Sequence, residues 1–225
     1  MLKETGSFVN IADTALPKHR TQEERSSHTR QALLLAARDA IYDIGYSKTT
    51  VSEVSQRAGV SRGAQIHHYP TKEAMMLAVA DFIFSGVERD LSQIADRLRQ
   101  SPGDIDGFIN DIWTQVFCRE NFYPIMELVN AARTHLALRE LLAVRWQRLI
   151  ETYDEIWTRI LNRSDHQEPE LVMLLNLTLS LLRGMAFQGV IDDAGPKYYD
   201  DMLKAWSLIV KNIIGKEALQ DLKIH

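Results

Sequence analysis

The sequence predicts an all-α protein with an N-terminal three-helix helix-turn-helix domain joined to a larger helical bundle. Apolar residues recur every three or four positions through most of the 225 residues, as on the buried face of a helix. The alternation of apolar and polar residues that marks a half-buried strand does not occur over any length of the sequence. Glycine, proline and asparagine separate the helical stretches. The pattern indicates a protein of helices packed on helices.

The first helix is expected from Thr21 to Ile44. Its apolar positions recur at helical spacing: Leu33, Ala36, Ala37, Ala40, Ile41 and Ile44. Gly45 follows, in the position of a left-handed C-terminal cap. Residues 1–20 precede this helix and are expected to form a flexible arm, whose basic cluster at 18–20 is a candidate for a minor-groove contact.

Residues 49–72 read TTVSEVSQRAGVSRGAQIHHYPTK and predict two short helices around a tight turn. A capping box, Thr50-x-x-Glu53, begins a helix that runs to Ala58. Gly59 suits the positive φ of a sharp turn. Ser61 caps the next helix, about residues 62–68, which ends before a proline. This arrangement is typical of a helix-turn-helix, whose second helix enters the DNA major groove.

Thr71 caps a fourth helix that is expected to reach about residue 100. Further helices are expected over residues 105–118, 123–134, 138–162, 169–191 and 198–215. Three parts follow. Residues 1–20 are the arm. Residues 21–72 are the helix-turn-helix domain, which extends into the fourth helix to about residue 87. Residues 73–225 are a helical ligand-sensing and dimerisation domain.

Charge is divided between these parts. The whole chain carries −4, but residues 17–72 have nine basic and five acidic side chains, and residues 73–225 have sixteen basic and twenty-three acidic ones. A basic head on an acidic body is typical of a protein that turns one face toward phosphate.

Several classes of protein are disfavoured. Cys118 is the only cysteine, which excludes an intramolecular disulfide and a multi-thiolate metal site and favours a reducing compartment. Signal-peptide and membrane-spanning patterns are missing from the sequence, so a cytoplasmic location with no membrane partner is expected. Metalloprotease, phosphate-loop and nucleophile-elbow motifs are also missing. We therefore expect neither an enzyme nor a cofactor or metal.

Within the helix-turn-helix, apolar side chains should fix the crossing angle by packing against the first helix. The candidates are Val54, Val60, Ile66 and Tyr69. The other side chains of the third helix are expected to point outward: Ser61, Arg62, Gly63, Ala64, Gln65, His67 and His68.

From about residue 29 to 80 the chain resembles the DNA-binding domain of the TetR/AcrR family of bacterial transcription regulators. The residues that carry the resemblance are Gly45, Thr49-Thr50-Val51, Ala58-Gly59-Val60-Ser61, Gly63, His68-Tyr69-Pro70 and Lys72-Glu73-Ala74. Residues 181–187, Leu-Leu-Arg-Gly-Met-Ala-Phe, are similar to a part of the family's regulatory domain.

The resemblance implies a set of DNA contacts: phosphate anchors at Thr49, Thr50, Ser61, His67 and Lys72, base-reading or close-approach positions at Arg62, Gly63 and Ala64, and outward positions at Gln65 and His68. Arg62 could bind guanine, and Ala64 a thymine methyl group. The sequence departs from the family at Gln65-Ile66, where many members have Leu-Tyr. Gln65 is there an alternative reader of adenine.

The body is expected to supply a two-fold interface and a ligand pocket. Apolar stripes predict a homodimer interface at Leu174, Leu177, Leu181, Met185, Met202, Trp206, Ile209 and Ile213. Aromatic residues with a few polar ones among them predict a pocket for a small, largely apolar ligand at Trp113, Phe117, His135, Tyr153, Trp157, Asn176, Arg183 and Phe187. Each of these eight residues is also a plausible member of the core.

The expected function is that of a homodimeric repressor that a small ligand releases from double-stranded operator DNA. The alternatives are a ligand-responsive activator and an architectural DNA-binding protein without a ligand. The large, acidic, aromatic-rich body argues against the architectural class.

Overall fold

The structure, a computed structural model, describes residues 21–101, 104–117, 122–160, 169–191 and 196–221. At 98–99, 153–160, 169–172, 196 and 215–221 it describes the backbone alone. The expectations for the arm of residues 1–20 and for Cys118 therefore lie outside the described residues, as do those for the side chains of Tyr153 and Trp157.

Helices make up all the regular structure in these ranges, so the all-α prediction is confirmed. The elements are α1 (Gln22–Lys48), α2 (Val51–Ala58), α3 (Arg62–His68), α4 (Lys72–Gln100), α5 (Ile105–Ile112), a π-helical turn (Trp113–Phe117), α6 (Phe122–Ala131), α7 (Leu136–Ile160), α8 (Pro169–Gln188) and α9 (Pro196–Asp221).

The first helix extends one turn beyond its predicted end. Gly45 has a positive φ of 80° as expected, but its ψ of 161° lies outside the left-handed helical region. The chain kinks at this glycine and then completes another turn, because the Thr49 N–H donates to the Gly45 carbonyl at 3.2 Å. The helix therefore ends at Lys48 and not at Gly45, and the chain continues from there into α2.

The helix caps agree closely with the sequence pattern. The hydroxyls of Thr50, Ser61 and Thr71 accept backbone N–H bonds at the starts of α2, α3 and α4. Gly59 adopts the left-handed conformation that the turn requires, with φ 63° and ψ 28°. The three predicted N-caps and the turn glycine together fix where the helix-turn-helix begins and bends.

The buried face of α3 is rotated relative to the prediction. Gln65, expected to point outward, is only 2% exposed, and its side-chain amide donates to the Tyr69 carbonyl. Ile66, expected in the core, is 48% exposed. Tyr69 is buried and lies four residues after Gln65, so both occupy the same helical face. The expectation that Gln65 faces DNA and Ile66 the core is therefore wrong.

A single apolar core runs from the head into the body, and α4 passes through both. This helix packs on α1 at one end and on α5 and α7 further along. Its buried side chains occur on nearly every turn: Met75, Met76, Val79, Ala80, Ile83, Phe84, Val87, Leu91, Ile94 and Ala95. The head and the first part of the body are thus joined by one continuous helix.

Ion pairs reinforce the contact between α4 and α7. The guanidinium of Arg145 on α7 binds the carboxylates of Asp81 and, at 3.3 Å, Glu88 on α4. The Arg145 side chain is only 12% exposed, so this pairing is less screened by solvent than a surface ion pair. It holds α4 against the body at two points that are about two helical turns apart.

The sequence interpretation places Ile66 in the core and Gln65 outside, so it predicts the larger loss of stability for Ile66→Ala. The structure predicts the larger loss for Gln65→Ala. Gln65→Ala leaves the buried Tyr69 carbonyl without its amide donor and should lower the free energy of unfolding by about 1–3 kcal/mol. Ile66→Ala removes an exposed side chain and should change it by less than about 0.5 kcal/mol. Urea denaturation of both variants measures the difference. Equal losses, or a larger loss for Ile66→Ala, would show that α3 has the other register.

Candidate nucleic-acid interface

The N-terminal end of α3 is the most exposed part of the helix-turn-helix. Ser61, Arg62 and Gly63 are all exposed. Arg62 forms no ion pair with any residue that the structure describes. Nothing lies within 4 Å of a Cβ placed on Gly63, so the backbone there is open to a close approach. An unpaired guanidinium beside a bare backbone suits a helix that enters a groove with its N-terminus first.

The next turn of α3 presents a mixed surface. Ala64 is half-buried and His67 is exposed. Ile66 adds an exposed apolar group that the sequence interpretation assigned to the core. The departure from the family pattern at Gln65-Ile66 was the signal that could have revealed this. Apolar side chains at such positions can contact thymine methyl groups.

The two threonines before α2 have different environments. Thr50 is exposed, and its hydroxyl accepts the Glu53 N–H at 3.2 Å, which leaves a hydroxyl proton for another partner. Thr49 is fully buried, and its hydroxyl donates to the Gly45 carbonyl at 2.8 Å. The expected phosphate contact of Thr49 is therefore corrected, because its side chain closes the end of α1 and does not reach the surface.

Lys72 has a structural role that the sequence did not indicate. Its ammonium donates to the carbonyls of Tyr46 and Ser47 at 3.1 and 3.2 Å and lies 5.1 Å from the Tyr46 ring centroid. A cation at these carbonyls stabilises the C-terminal end of α1. Two of its three donors are used, so a phosphate contact by the third stays a prediction.

A small group of basic side chains lies at the C-terminal end of α3. The rings of His67 and His68 are 5.3 Å apart between centroids. Burial, followed by the nearby His67 and Arg30, lowers the pKa of His68 below its usual value of 6.5. His68 is therefore mostly neutral at pH 7, and its contact with DNA stays a prediction. Arg30 of α1 adds positive potential at this end.

The arginine of α2 is not free to bind DNA. Arg57 donates to Glu53 at 2.7 Å and to Asp43 of α1 at 2.5 Å. The Glu53 side chain pairs with Arg57 and not with the Thr50 N–H, so of the predicted capping box the Thr50 cap alone is formed. These bonds hold α2 at its angle to α1.

The six predicted pocket residues whose side chains are described do not line one shared cavity. Trp113 and Phe117 are buried and pack on Tyr199 and Phe122, with ring centroids 5.5 and 5.6 Å apart. Asn176, by contrast, is exposed on α8.

The other predicted pocket residues lie in separate places. His135 is exposed near the Tyr46 ring, 5.7 Å between centroids. Arg183 stacks over the Trp146 ring at 5.0 Å, and Phe187 is 52% exposed near the end of α8. For the six predicted residues whose side chains are described, the prediction is therefore corrected: Trp113 and Phe117 fill the core, and the other four lie in separate places.

The predicted dimer face is confirmed as exposed only in part. Leu177 and Ile209 are 52% and 47% exposed. Leu181, Met202, Trp206 and Ile213 are half-buried. Leu174 and Met185 are buried inside the protomer, on a strip of α8 that lies roughly 60–80° around the helix from Leu177. Met173, Tyr198 and Leu208, which were not predicted, are exposed apolar residues of the same two helices.

Membrane-spanning helices and metal-binding clusters are both absent from the described residues. None of the helices in the described part of the chain is long and apolar enough to cross a membrane. The same residues contain no group of three or more histidine, cysteine, aspartate or glutamate side chains placed to hold a metal ion.

Comparisons with known proteins agree with this geometry. The family model described as "Bacterial regulatory proteins, tetR family" matches residues 33–79, which span most of α1, all of α2 and α3 and the start of α4. The HTH-type transcriptional regulator CymR of Pseudomonas putida is 30% identical over 175 residues, which cover 77% of this chain and 85% of the relative.

Solved structures show the same fold. A putative TetR-family transcriptional regulator from Mesorhizobium loti superposes with a TM-score of 0.71 at 16% identity, over 84% of this chain and 98% of the other. A putative transcriptional regulator from Saccharomonospora viridis, solved in complex with choline, has a TM-score of 0.60 at 14% identity, over 84% and 96% of the two chains.

The similarity to the Pseudomonas regulator extends well beyond the helix-turn-helix into the helical body. The segment matched by the family model contains the exposed end of α3 and the turn at Gly59. Its relatives are transcriptional regulators and not enzymes, as the sequence predicted. The chain therefore belongs to the TetR family of bacterial transcriptional regulators, which bind operator DNA through a helix-turn-helix.

Proposed function

We propose that the chain is a homodimeric repressor that occupies its operator with two helix-turn-helix heads and is released when a small ligand binds the body. The observation that carries this proposal is the continuity of α4, whose buried side chains pack on the head at one end and on the body along the rest. A displacement of the body along this helix is transmitted to the head.

The DNA contacts follow from the exposed end of α3. Arg62 enters the major groove, where its guanidinium can bind the O6 and N7 atoms of guanine. Gly63 allows the backbone to approach the groove, and the hydroxyls of Thr50 and Ser61 lie beside helix N-termini, where phosphates bind favourably. Phosphate contacts set the register, and Arg62 reads sequence.

The apolar surface of α8 and α9 supports the dimer. It is formed by Met173, Leu177, Tyr198, Leu208 and Ile209, all at least 44% exposed in the protomer. Soluble monomers rarely leave large contiguous apolar patches in water. A two-fold partner that buries this surface also places two α3 helices for a symmetric operator.

Ligand release requires two arrangements of the head relative to the body. A ligand with higher affinity for the arrangement that does not fit the operator lowers operator affinity by the ratio of the two affinities. The polar ties that set the present arrangement are Arg145 with Asp81 and Glu88, Lys72 with the end of α1, and Glu127 with Tyr46.

Substitution of Arg62 should change base preference. Arg62→Ala is expected to relax selection at one position of each half-site and to weaken binding by about 1–3 kcal/mol per half-site. Selection of binding sites from a random DNA pool, done with the parent protein and the variant, measures both effects.

Arg139→Ala is the matched control for this experiment, because Arg139 is an exposed arginine on α7, in the body. It should leave the selected sequence unchanged. An Arg62→Ala variant that selects the same operator as the parent would remove Arg62 from the base-reading residues.

Substitution of Leu177 tests the dimer. Leu177→Asp places a charge in the centre of the α8–α9 surface and should convert the dimer to monomer, as measured by sedimentation velocity. Val144→Asp is the control, since Val144 is 57% exposed on α7 and outside that surface. If both variants remain dimeric, the interface lies elsewhere on the molecule.

The direction of regulation is tested with the selected operator placed across a promoter in a reporter strain. A repressor lowers reporter output when the protein is expressed, and Arg62→Ala restores it. Higher output with the parent protein would instead identify an activator. Operator release by each compound of a small-molecule panel, followed by fluorescence polarisation, tests the ligand response; an operator affinity that no compound alters counts against it.

A further inference from the structure

A crevice lies where α1, α6 and the end of α8 meet, apart from both the exposed end of α3 and the apolar surface of α8 and α9. Its volume is about 540 Å³, within the range of roughly 300–1,000 Å³ found for small-molecule sites. The lining residues that the argument uses are Tyr42, Tyr123, Glu127 and Phe187. Of the sequence-predicted pocket residues whose side chains are described, Phe187 lies here.

Aromatic rings form much of the wall. Tyr42 and Phe187 are 48% and 52% exposed. The rings of Tyr42 and Tyr123 have centroids 5.6 Å apart and are inclined at 48°. Three aromatic rings therefore line one crevice, and the faces of aromatic rings attract organic cations.

One carboxylate accompanies these rings. Among the described residues that line the crevice, Glu127 alone carries a formal charge. Its Oε2 atom accepts the Tyr46 N–H at 2.8 Å and lies 3.1 Å from where a Cβ on Gly45 would be. Because a carboxylate offers about four acceptor positions, Glu127 can hold α1 and also serve as counter-ion to a ligand.

We propose that this crevice binds a small organic cation, with its alkylated ammonium group among Tyr42, Tyr123 and Phe187 and its charge balanced by Glu127. An anionic ligand is disfavoured by the carboxylate, and a purely apolar one would gain nothing from the charge of Glu127, which is exposed to solvent. The proposal names the ligand class and the place for the ligand response proposed above, and it rests on that function only for its effect on DNA.

Occupancy is coupled to the head through the same carboxylate. Tyr46 is the first residue after the kink at Gly45, and the short segment that follows leads to the Thr50 cap of α2. A bound cation shares Glu127 with the Tyr46 N–H, and its charge weakens that hydrogen bond and loosens the tie between α6 and α1. The ligand therefore favours arrangements in which the head is released from α6.

The binding step is tested by isothermal titration calorimetry on the full-length protein with benzyltrimethylammonium as the probe. The neutral comparator is 3,3-dimethylbutan-1-ol, whose tert-butyl group has the shape of a trimethylammonium group without its charge. We expect saturable binding of the cation and much weaker binding of the alcohol.

Three variants locate the site. Glu127→Gln keeps an acceptor for the Tyr46 N–H but removes the charge, so it should fold normally and weaken cation binding by about tenfold or more. Tyr42→Ala removes an exposed ring and should also weaken it. Glu140→Gln removes an exposed carboxylate of α7 and should bind as the parent does.

Loss of cation binding in Glu127→Gln and Tyr42→Ala, with Glu140→Gln unaffected, supports the site. Unchanged affinity in Glu127→Gln, or no binding to the parent protein, overturns it without touching the proposed repressor function, which the reporter measures separately. Fluorescence polarisation with the selected operator then tests the coupling: the cation should lower operator affinity in the parent and not in Glu127→Gln. Binding with no effect on operator affinity overturns the coupling.

Discussion

The burial of α4 is the constraint on which the rest of the structure depends. The helix has 29 residues, about 43 Å at 1.5 Å per residue, and its buried side chains continue from Met75 in the head to Ala95 in the body. It cannot turn about its axis without exposing this stripe, and it cannot shift along it without breaking the pairing of Arg145 with Asp81 and Glu88. Motion of the body is therefore transmitted as a tilt or translation of a stiff rod and is not absorbed by a flexible linker. The proposed ligand response, in which the body alters the placement of the head, depends on this stiff connection.

The end of α1 is the complementary element, because polar groups from two other helices meet there. Lys72 of α4 binds the carbonyls of Tyr46 and Ser47, and Glu127 of α6 binds the Tyr46 N–H. Burial, and then the charge of Glu73, raise the pKa of the Tyr46 hydroxyl, which stays neutral across the physiological range. Only a glycine permits the positive φ at position 45, and a side chain there would also meet Glu127. One kinked turn thus contacts both α4 and α6, directly before the helix-turn-helix.

Local chemistry made the helix-turn-helix predictable from sequence, whereas long-range packing limited prediction elsewhere. The caps at Thr50, Ser61 and Thr71 and the turn at Gly59 depend on residues within four positions of one another, and all were confirmed.

The register of α3 was missed because apolar character favoured Ile66, while burial is decided by the position of Tyr69 and by an amide bond from Gln65. The positions of Trp113, Asn176 and Phe187 depend on how α5 and α8 rotate against distant helices, which helical spacing alone does not determine. Lys72 was assigned to phosphate from the resemblance to the family, and its binding to carbonyls 26 and 25 residues away in sequence could not be predicted from local pattern.

The charges of the head bear on the dimer and the release from DNA proposed above. Several basic side chains of the head are engaged within the protein: Arg57 with Glu53 and Asp43, and Lys72 with α1. These pairings reduce the number of charges with which a single head can displace counterions from DNA. Arg62, at the exposed end of α3, forms no ion pair with a described residue. In the proposed dimer the two heads bind together, and the second contact gains from its high effective concentration. That gain depends on the spacing of the heads and is lost when geometry forbids joint engagement. Under the proposed mechanism a ligand therefore has only to change this spacing through α1 and α4, and the fold of each head can remain intact.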